Sequence, residues 1–191
     1  DKPSQVIRSG RNTSMWLCLE AVKKGNASGA VSAGNTGALM AMAMIQWKKL
    51  PGIDRPAIAS FFPTLRGETV MLDLGANISC SARNLVQFAV MGEVYSRTIL
   101  GIGDPTLGLL NVGTEDTKGN VVLQEAADII RSIDFPGEFV GFVEGDDIPA
   151  GAVDVVVTDG FTGNIALKTA EGTANFITKN LKKSLNKFSI L

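Results

Sequence analysis

Four times in this chain a strand-like apolar run gives way to a glycine with an asparagine one or two places on, and a helix-compatible stretch follows. The four are Gly34-Asn35, Gly75-Ala76-Asn77, Gly119-Asn120 and Gly163-Asn164. Glycine permits a sharp turn and close approach of the backbone to a ligand. Asparagine caps the next helix, whose unpaired N–H groups favour anions. Cap preference alone accounts for any single one of these turns. Repeated along one sheet edge, they predict an anion site, with phosphate as the natural occupant.

The runs between these turns set the fold class. Helices are expected over Thr13–Lys24, Thr36–Leu50, 82–100 and 120–132, with a long one from about residue 164. Strands are expected over Gly29–Ala33, Ala57–Phe62, Thr69–Leu74, 107–112, 138–143 and 153–158. Val153-Asp154-Val155-Val156-Val157 is an apolar run rather than an alternation, as in a parallel sheet covered by helices on both faces. The pattern predicts a single α/β domain over 1–191 with a mostly parallel sheet. The helix from Thr36 is apolar all round, which predicts full burial.

Composition narrows the chemistry. The chain has no histidine, so Ser-His-Asp and Cys-His mechanisms are closed to it, as is the commonest zinc ligand. Acid and base roles fall to Asp, Glu, Lys or water, and no metal site is expected. Cys18 and Cys80 form no CxxC pair, which points to neither a disulfide framework nor zinc and suits the cytosol. The most apolar helical run, Ala38–Ile45, is too short to span a bilayer, and nothing reads as a signal peptide. Residues 1–24 carry five basic and two acidic groups and residues 168–191 five and one, whereas 25–167 carry eight and sixteen. Basic ends suit an acidic partner or a membrane surface, and solvated lysines are the alternative.

In an open parallel sheet the ligand crevice lies beyond the carboxyl ends of the strands, where these turns fall. Asn35, Thr36 and Gly37 combine a close-approach turn, a hydroxyl and a helix start, and are the phosphate-binding candidates. Asn77 is either an oxyanion donor or a helix cap, and Asp73 in the preceding strand requires bonded partners if buried. Lys118 beside a glycine turn is either a phosphate-holding charge or a solvated loop lysine. Asp159, Asn164 and Lys168 resemble a second anion cradle, with Asn164 and Lys168 on one helical face. Cys80 reads as a small buried side chain, since no histidine can activate it. Neither a Walker A sequence nor a GxGxxG is present, which counts against nucleotide-dependent chemistry, and no cofactor is expected.

From Ala174 on, Ile177, Leu181, Leu185 and Phe188 form one stripe, with Lys179, Lys182, Lys183 and Lys187 opposite. Such a helix lies on anionic lipid, docks an acidic protein, or packs on its own core.

Taken together, Ser32–Ala41, Arg55-Pro56, Pro63–Gly67, Leu72–Asn77, Leu85–Ala89, Gly108–Asn111, Lys118–Asn120, Gly141–Gly145 and Asp159–Asn164 resemble the phosphate acyltransferases of bacterial phospholipid synthesis. The resemblance implies a three-layer α/β/α fold related to phosphotransacetylases. It also implies transfer of a fatty acyl group from acyl-[acyl carrier protein] to inorganic phosphate, giving acyl phosphate. Further implications are a homodimer, peripheral contact with the inner face of the cell membrane through the 174–191 helix, a downstream glycerol-3-phosphate acyltransferase, and no nucleic-acid partner. Family chains are longer, so these 191 residues are expected to be part of such a chain. Lys118 and the Asn35–Gly37 turn are assigned to phosphate, Asn77 and Asn164 to the oxyanion, Asp159 and Lys168 to orientation or proton exchange, and Ile177, Leu181, Lys182, Lys183 and Leu185 to membrane or carrier contact. An acyl-coenzyme A phosphotransacetylase and a non-catalytic lipid-binding scaffold are the rival readings.

Overall fold

Residues 10–188 are described by the structure, a computed structural model. Internal packing divides the chain into two compact units, Asp1–Pro56 and Ala57–Leu191.

In the smaller unit, helix α1 (Ser14–Lys23) starts at Thr13, whose hydroxyl accepts the Trp16 N–H at 3.3 Å. Helix α2 (Thr36–Trp47) starts at Asn35, whose side-chain oxygen accepts the Ala38 N–H at 3.0 Å. Asn35 is thus the cap that its position predicts. The helices are tied by two side-chain donors: Gln46 Nε2 to the Trp16 carbonyl and Trp47 Nε1 to the Leu19 carbonyl, both at 3.0 Å.

Two expectations fail in this unit. Helix α2 buries only the Ala38, Met42 and Gln46 face, while Met44, Ile45 and Trp47 are exposed. Four-residue spacing selects a single stripe, whatever the hydropathy of the remaining positions. Residues 29–33 lie in no strand, and Val31 is 96% exposed. A strand needs a neighbour to take its hydrogen bonds, and none exists among the described residues of this unit.

The larger unit is built on a five-stranded sheet of order β1-β2-β5-β3-β4. Strands β1 (Ala59–Thr64) and β2 (Gly67–Leu72) form an antiparallel hairpin, Thr64 opposite Gly67. Strands β3 (Thr106–Leu110), β4 (Glu138–Val143) and β5 (Val155–Val157) add to β2 in parallel, with β5 between β2 and β3. The interposed helices are α3 (Ala82–Tyr95, continued by a π-helical turn Ser96–Leu100), α4 (Val121–Ser132), the short α5 (Asp147–Ala150) and α6 (Gly160–Phe188).

Successive residues of the strands feed opposite faces. Val70, Leu72, Leu107, Leu109, Val155 and Val157 pack with Leu85, Phe88 and Ala89 of α3 and Ala126, Ala127 and Ile130 of α4. Met71, Val143 and Val156 face the other way, toward Ile148 of α5 and Leu167 of α6. A mostly parallel sheet with apolar side chains on both faces is the arrangement predicted by the Val153–Val157 run. Helix α3 comes close enough to the sheet at Gly92 that a β-carbon there would meet Val155 and Leu72.

Helix α6 begins at Gly160, four residues before the expected start. From 171 to 186 it is exposed on all sides, Ile177, Leu181 and Leu185 each by more than half, with Lys182 and Lys183 beside them. The side chains of Lys187 and Phe188 lie outside the described residues.

Candidate active site

The carboxyl ends of the three central strands β2, β5 and β3 lie side by side, so the segments that follow them share one edge of the sheet. After β2 comes Asp73, wholly buried, whose carboxylate gathers its own loop. Oδ1 accepts the N–H groups of Ile58, Gly75 and Ala76 at 3.0, 3.2 and 3.0 Å. Oδ2 accepts the Asn77 backbone N–H at 2.7 Å and its side-chain Nδ2 at 2.8 Å. Five donors on one buried carboxylate meet the need for bonded partners that its strand position predicts.

The expectation that Asn77 caps the next helix is not met. Its amide is drawn back onto Asp73, and α3 is capped four residues later by Ser81. Ser81 Oγ accepts the Asn84 N–H at 3.3 Å while Asn84 Oδ1 accepts the Ser81 N–H at 3.1 Å. This is a capping box with asparagine in place of the usual Glu or Gln, which hides it from a Ser-x-x-Glu search.

After β5 comes Asp159, and it caps α6. Oδ1 accepts the Thr162 N–H at 2.9 Å and Oδ2 the Thr162 hydroxyl at 2.8 Å. Asn164 is correspondingly not a cap but a residue of the second turn, its Nδ2 donating to the Leu74 carbonyl at 3.2 Å. The reason is tertiary: the start of α6 is pressed onto the Asp73 loop. Gly160 N–H donates to the Asn77 carbonyl at 2.8 Å. A β-carbon on Gly160 would strike the Asn77 backbone, and one on Gly163 would overlap the Asp73 carbonyl.

After β3, Asn111 organises the loop that ends in Gly119-Asn120. Its Oδ1 accepts the Val112 N–H at 2.8 Å, and its Nδ2 donates to the Lys118 carbonyl at 3.2 Å. Gly119 has φ +85°, and a β-carbon there would collide with the Asn111 amide. Asn120 then caps α4, accepting the Leu123 N–H at 3.0 Å, as predicted. The Lys118 side chain is exposed and makes no ion pair among the described residues.

These segments enclose a cleft of two lobes. One, of about 420 Å³, is bordered by Asn111, Val112, Gly119 and Asn120. The other, of about 330 Å³, is bordered by Ile78, Ser79, Cys80, Val122 and Phe161. Asn120, Leu123, Asp159 and Thr162 border both, as a ridge between them.

Of the sequence candidates, Asp159 lies on this ridge, and Lys118 immediately precedes the Gly119-Asn120 pair that borders it. Asn77 and Asn164 meet at the Asp73 loop. Lys168 borders neither lobe: it is 63% exposed and paired with Glu171 at 2.7 Å. Asn35, Thr36 and Gly37 open α2 in the smaller unit. Asn120 and Thr162 were not among the candidates, although Lys118-Gly119-Asn120 and Asp159-Gly160-Phe161-Thr162 carried the signal. Cys80 is half-buried, with Sγ 3.7 Å from the Asn77 carbonyl.

An α/β sheet with its cleft at the carboxyl ends of the central strands places the chain among phosphotransacetylase-like folds. A EutD phosphotransacetylase from Staphylococcus aureus superposes with a TM-score of 0.65 at 20% identity, over 90% of this chain and 62% of that one. A phosphotransacetylase from Streptococcus pyogenes gives 0.65 at 23% identity, over 83% and 54%. At these identities the likeness is one of fold.

Sequence carries the assignment further. Residues 1–190 match the family described as "Fatty acid synthesis protein", and the chain belongs to that family. A phosphate acyltransferase from Paramagnetospirillum magneticum is 64% identical over 182 residues, 95% of this chain and 52% of that protein. One from Rhodospirillum centenum is 64% identical over 183 residues, 96% and 52%. The chain spans about half the length of these relatives. The resemblance drawn from the Leu72–Asn77 and Asp159–Asn164 motifs is borne out.

Proposed function

We propose that the protein containing this chain is an acyltransferase that moves a fatty acyl group from acyl-[acyl carrier protein] to inorganic phosphate, giving acyl phosphate for phospholipid synthesis. The observation that carries this reading is the cleft at the ends of β2, β5 and β3, bordered by the Gly119-Asn120 turn that follows Lys118 and by the Asp159–Thr162 cap, in a chain of this family.

Phosphate is already nucleophilic at neutral pH. One of its oxygens attacks the thioester carbonyl, the tetrahedral oxyanion collapses, and the carbon–sulfur bond breaks to leave acyl phosphate and a thiolate that takes up a proton. The protein's tasks are placement and charge stabilisation. Lys118 holds phosphate as a point charge beside the N-terminus of α4, where backbone N–H groups and the helix dipole add to it. Asn164 gives one amide hydrogen to the Leu74 carbonyl, and its second amide hydrogen is the donor this reading assigns to the oxyanion. Asn77 contributes through Asp73, fixing the loop on which Asn164 rests. Asp159 orients the ridge, while Lys168, bound to Glu171 and bordering neither lobe, is given no part in the chemistry. The Asn35–Gly37 helix start is a further phosphate candidate, belonging to the smaller unit.

The exposed Ile177, Leu181 and Leu185 stripe with Lys182 and Lys183 suits peripheral contact with the inner face of the cell membrane or with the acidic carrier protein. Among the described residues, no helix is long and apolar enough to cross a membrane. A homodimer and hand-over of the product to a glycerol-3-phosphate acyltransferase complete the proposal.

The test is thiol release from a long-chain acyl-[acyl carrier protein] by the full-length protein, with and without phosphate. Phosphate-dependent release with acyl phosphate as product supports the reading. Equal turnover of the coenzyme A thioester would move the assignment to an acyl-coenzyme A enzyme, and no turnover of either donor would favour a scaffold.

A further inference from the structure

The loop between β3 and α4 is held from a second side. Gln124 and Arg131 stand two turns apart on α4, a spacing that puts both on one face of the helix. Gln124 Nε2 donates to the Thr117 carbonyl at 3.2 Å and to the Lys118 carbonyl at 3.4 Å. The Lys118 carbonyl also accepts from Asn111 Nδ2, so it is gripped from the sheet and from the helix at once. Farther along α4, Arg131 Nη2 donates to Asp116 Oδ1 at 2.6 Å.

Arg131 is itself held in place. Its guanidinium carbon lies 5.7 Å from the centroid of the Phe139 ring. Strand β4 bulges at Val140, since Leu107 stands opposite Phe139 but Gly108 opposite Gly141. Gly141 takes φ +99°, and a β-carbon there would lie 3.6 Å from Arg131 Nη2, so the guanidinium rests over bare backbone at the bulge. Bulges re-aim side chains beside functional sites. Stacking on a ring also limits the positions a long side chain samples, and that sampling is what makes most exposed ion pairs weak.

We propose that Gln124 and Arg131 are positioning residues: they strap the Gly113–Asn120 loop to α4, and so set where Gly119 and Asn120 wall the cleft and where Lys118 meets phosphate. The proposal rests on the transferase reading, in which Lys118 holds phosphate. Neither Gln124 nor Arg131 borders either lobe, so both act through the loop. A loose loop would have to be ordered each time phosphate binds, and the strap makes part of that ordering in advance. Its loss therefore weakens phosphate binding more than it slows the chemistry.

The test uses the full-length protein carrying Gln124→Met, which keeps the side chain's length and loses its donor, Arg131→Met, or Arg131→Met together with Asp116→Ala. Amide hydrogen exchange is followed over residues 112–119, with β3 as the internal reference, alongside phosphate saturation of thioester cleavage. Each single variant is expected to speed exchange in the loop about three-fold or more and to raise the phosphate KM by a similar factor, with kcat, the KM for the acyl donor and Tm close to wild type. The double variant is expected to match Arg131→Met alone, because Arg131 and Asp116 form one link. Wild-type loop exchange or a wild-type phosphate curve in both single variants overturns the proposal. So does a loss of activity that follows Tm, which marks a merely structural role. Faster loop exchange in the variants of a protein that shows no phosphate-dependent thiol release would uphold the strap and defeat the transferase reading.

Discussion

The Asp73–Asn77 loop and the Gly113–Asn120 loop leave neighbouring regions of the same sheet edge, yet they are built in opposite ways. The first is organised inward. One buried carboxylate takes five donors, and two glycines of α6 lie so close that neither could carry a side chain. The second is organised outward: Asn111 holds the backbone from beneath, Gly119 makes the left-handed turn, and Lys118 is left exposed. The first loop fixes a frame, and the second leaves a charge exposed to solvent. Polar residues next to a cleft are therefore of two kinds, and hydrogen-bond accounting separates them.

The comparison breaks most visibly at the frame. Asp73→Ala leaves five donors without their acceptor and is expected to lower stability by about 3–5 kcal/mol, measured by chemical denaturation. Gly163→Ala drives a β-carbon into the Asp73 carbonyl, where backbone cannot give way, and is expected to cost about 3 kcal/mol in the same measurement. If either variant melted like the wild type, the loop would not be a frame. Gly119→Ala strains a residue at φ +85° against Asn111 and is expected to cost about 2 kcal/mol, with a larger loss in phosphate-dependent turnover than in stability. At the small end, Lys168→Ala removes an exposed pair with Glu171 and is expected to move stability by less than about 0.5 kcal/mol. A larger shift would show that α6 depends on that pair.

The contrast also explains what the sequence could and could not reveal. The α/β order was legible because strand and helix runs in the larger unit are long, apolar and separated by turn residues, and 138–143 is found at the expected bounds. Asn35 and Asn120 were legible as caps because that role is local: the side chain serves an N–H three residues on. Asn77 and Asn164 were not, because their partners are set by packing of α6 on the Asp73 loop, with Asn164 ninety residues from Leu74. Asp159 and Ser81 took the capping roles instead, both with cap chemistry visible in the sequence. The Gly29–Ala33 run forms no strand because an apolar stretch states a preference for burial, not the existence of a neighbouring strand.

The most direct test of the claim that the Lys118 loop presents phosphate is the phosphate saturation curve of thioester cleavage by the full-length protein carrying Lys118→Ala. The account predicts a phosphate KM about ten-fold higher or more, roughly 1.4 kcal/mol of lost binding, with KM for the acyl donor and Tm unchanged. An unaltered phosphate curve, or both KM values rising together, would contradict it.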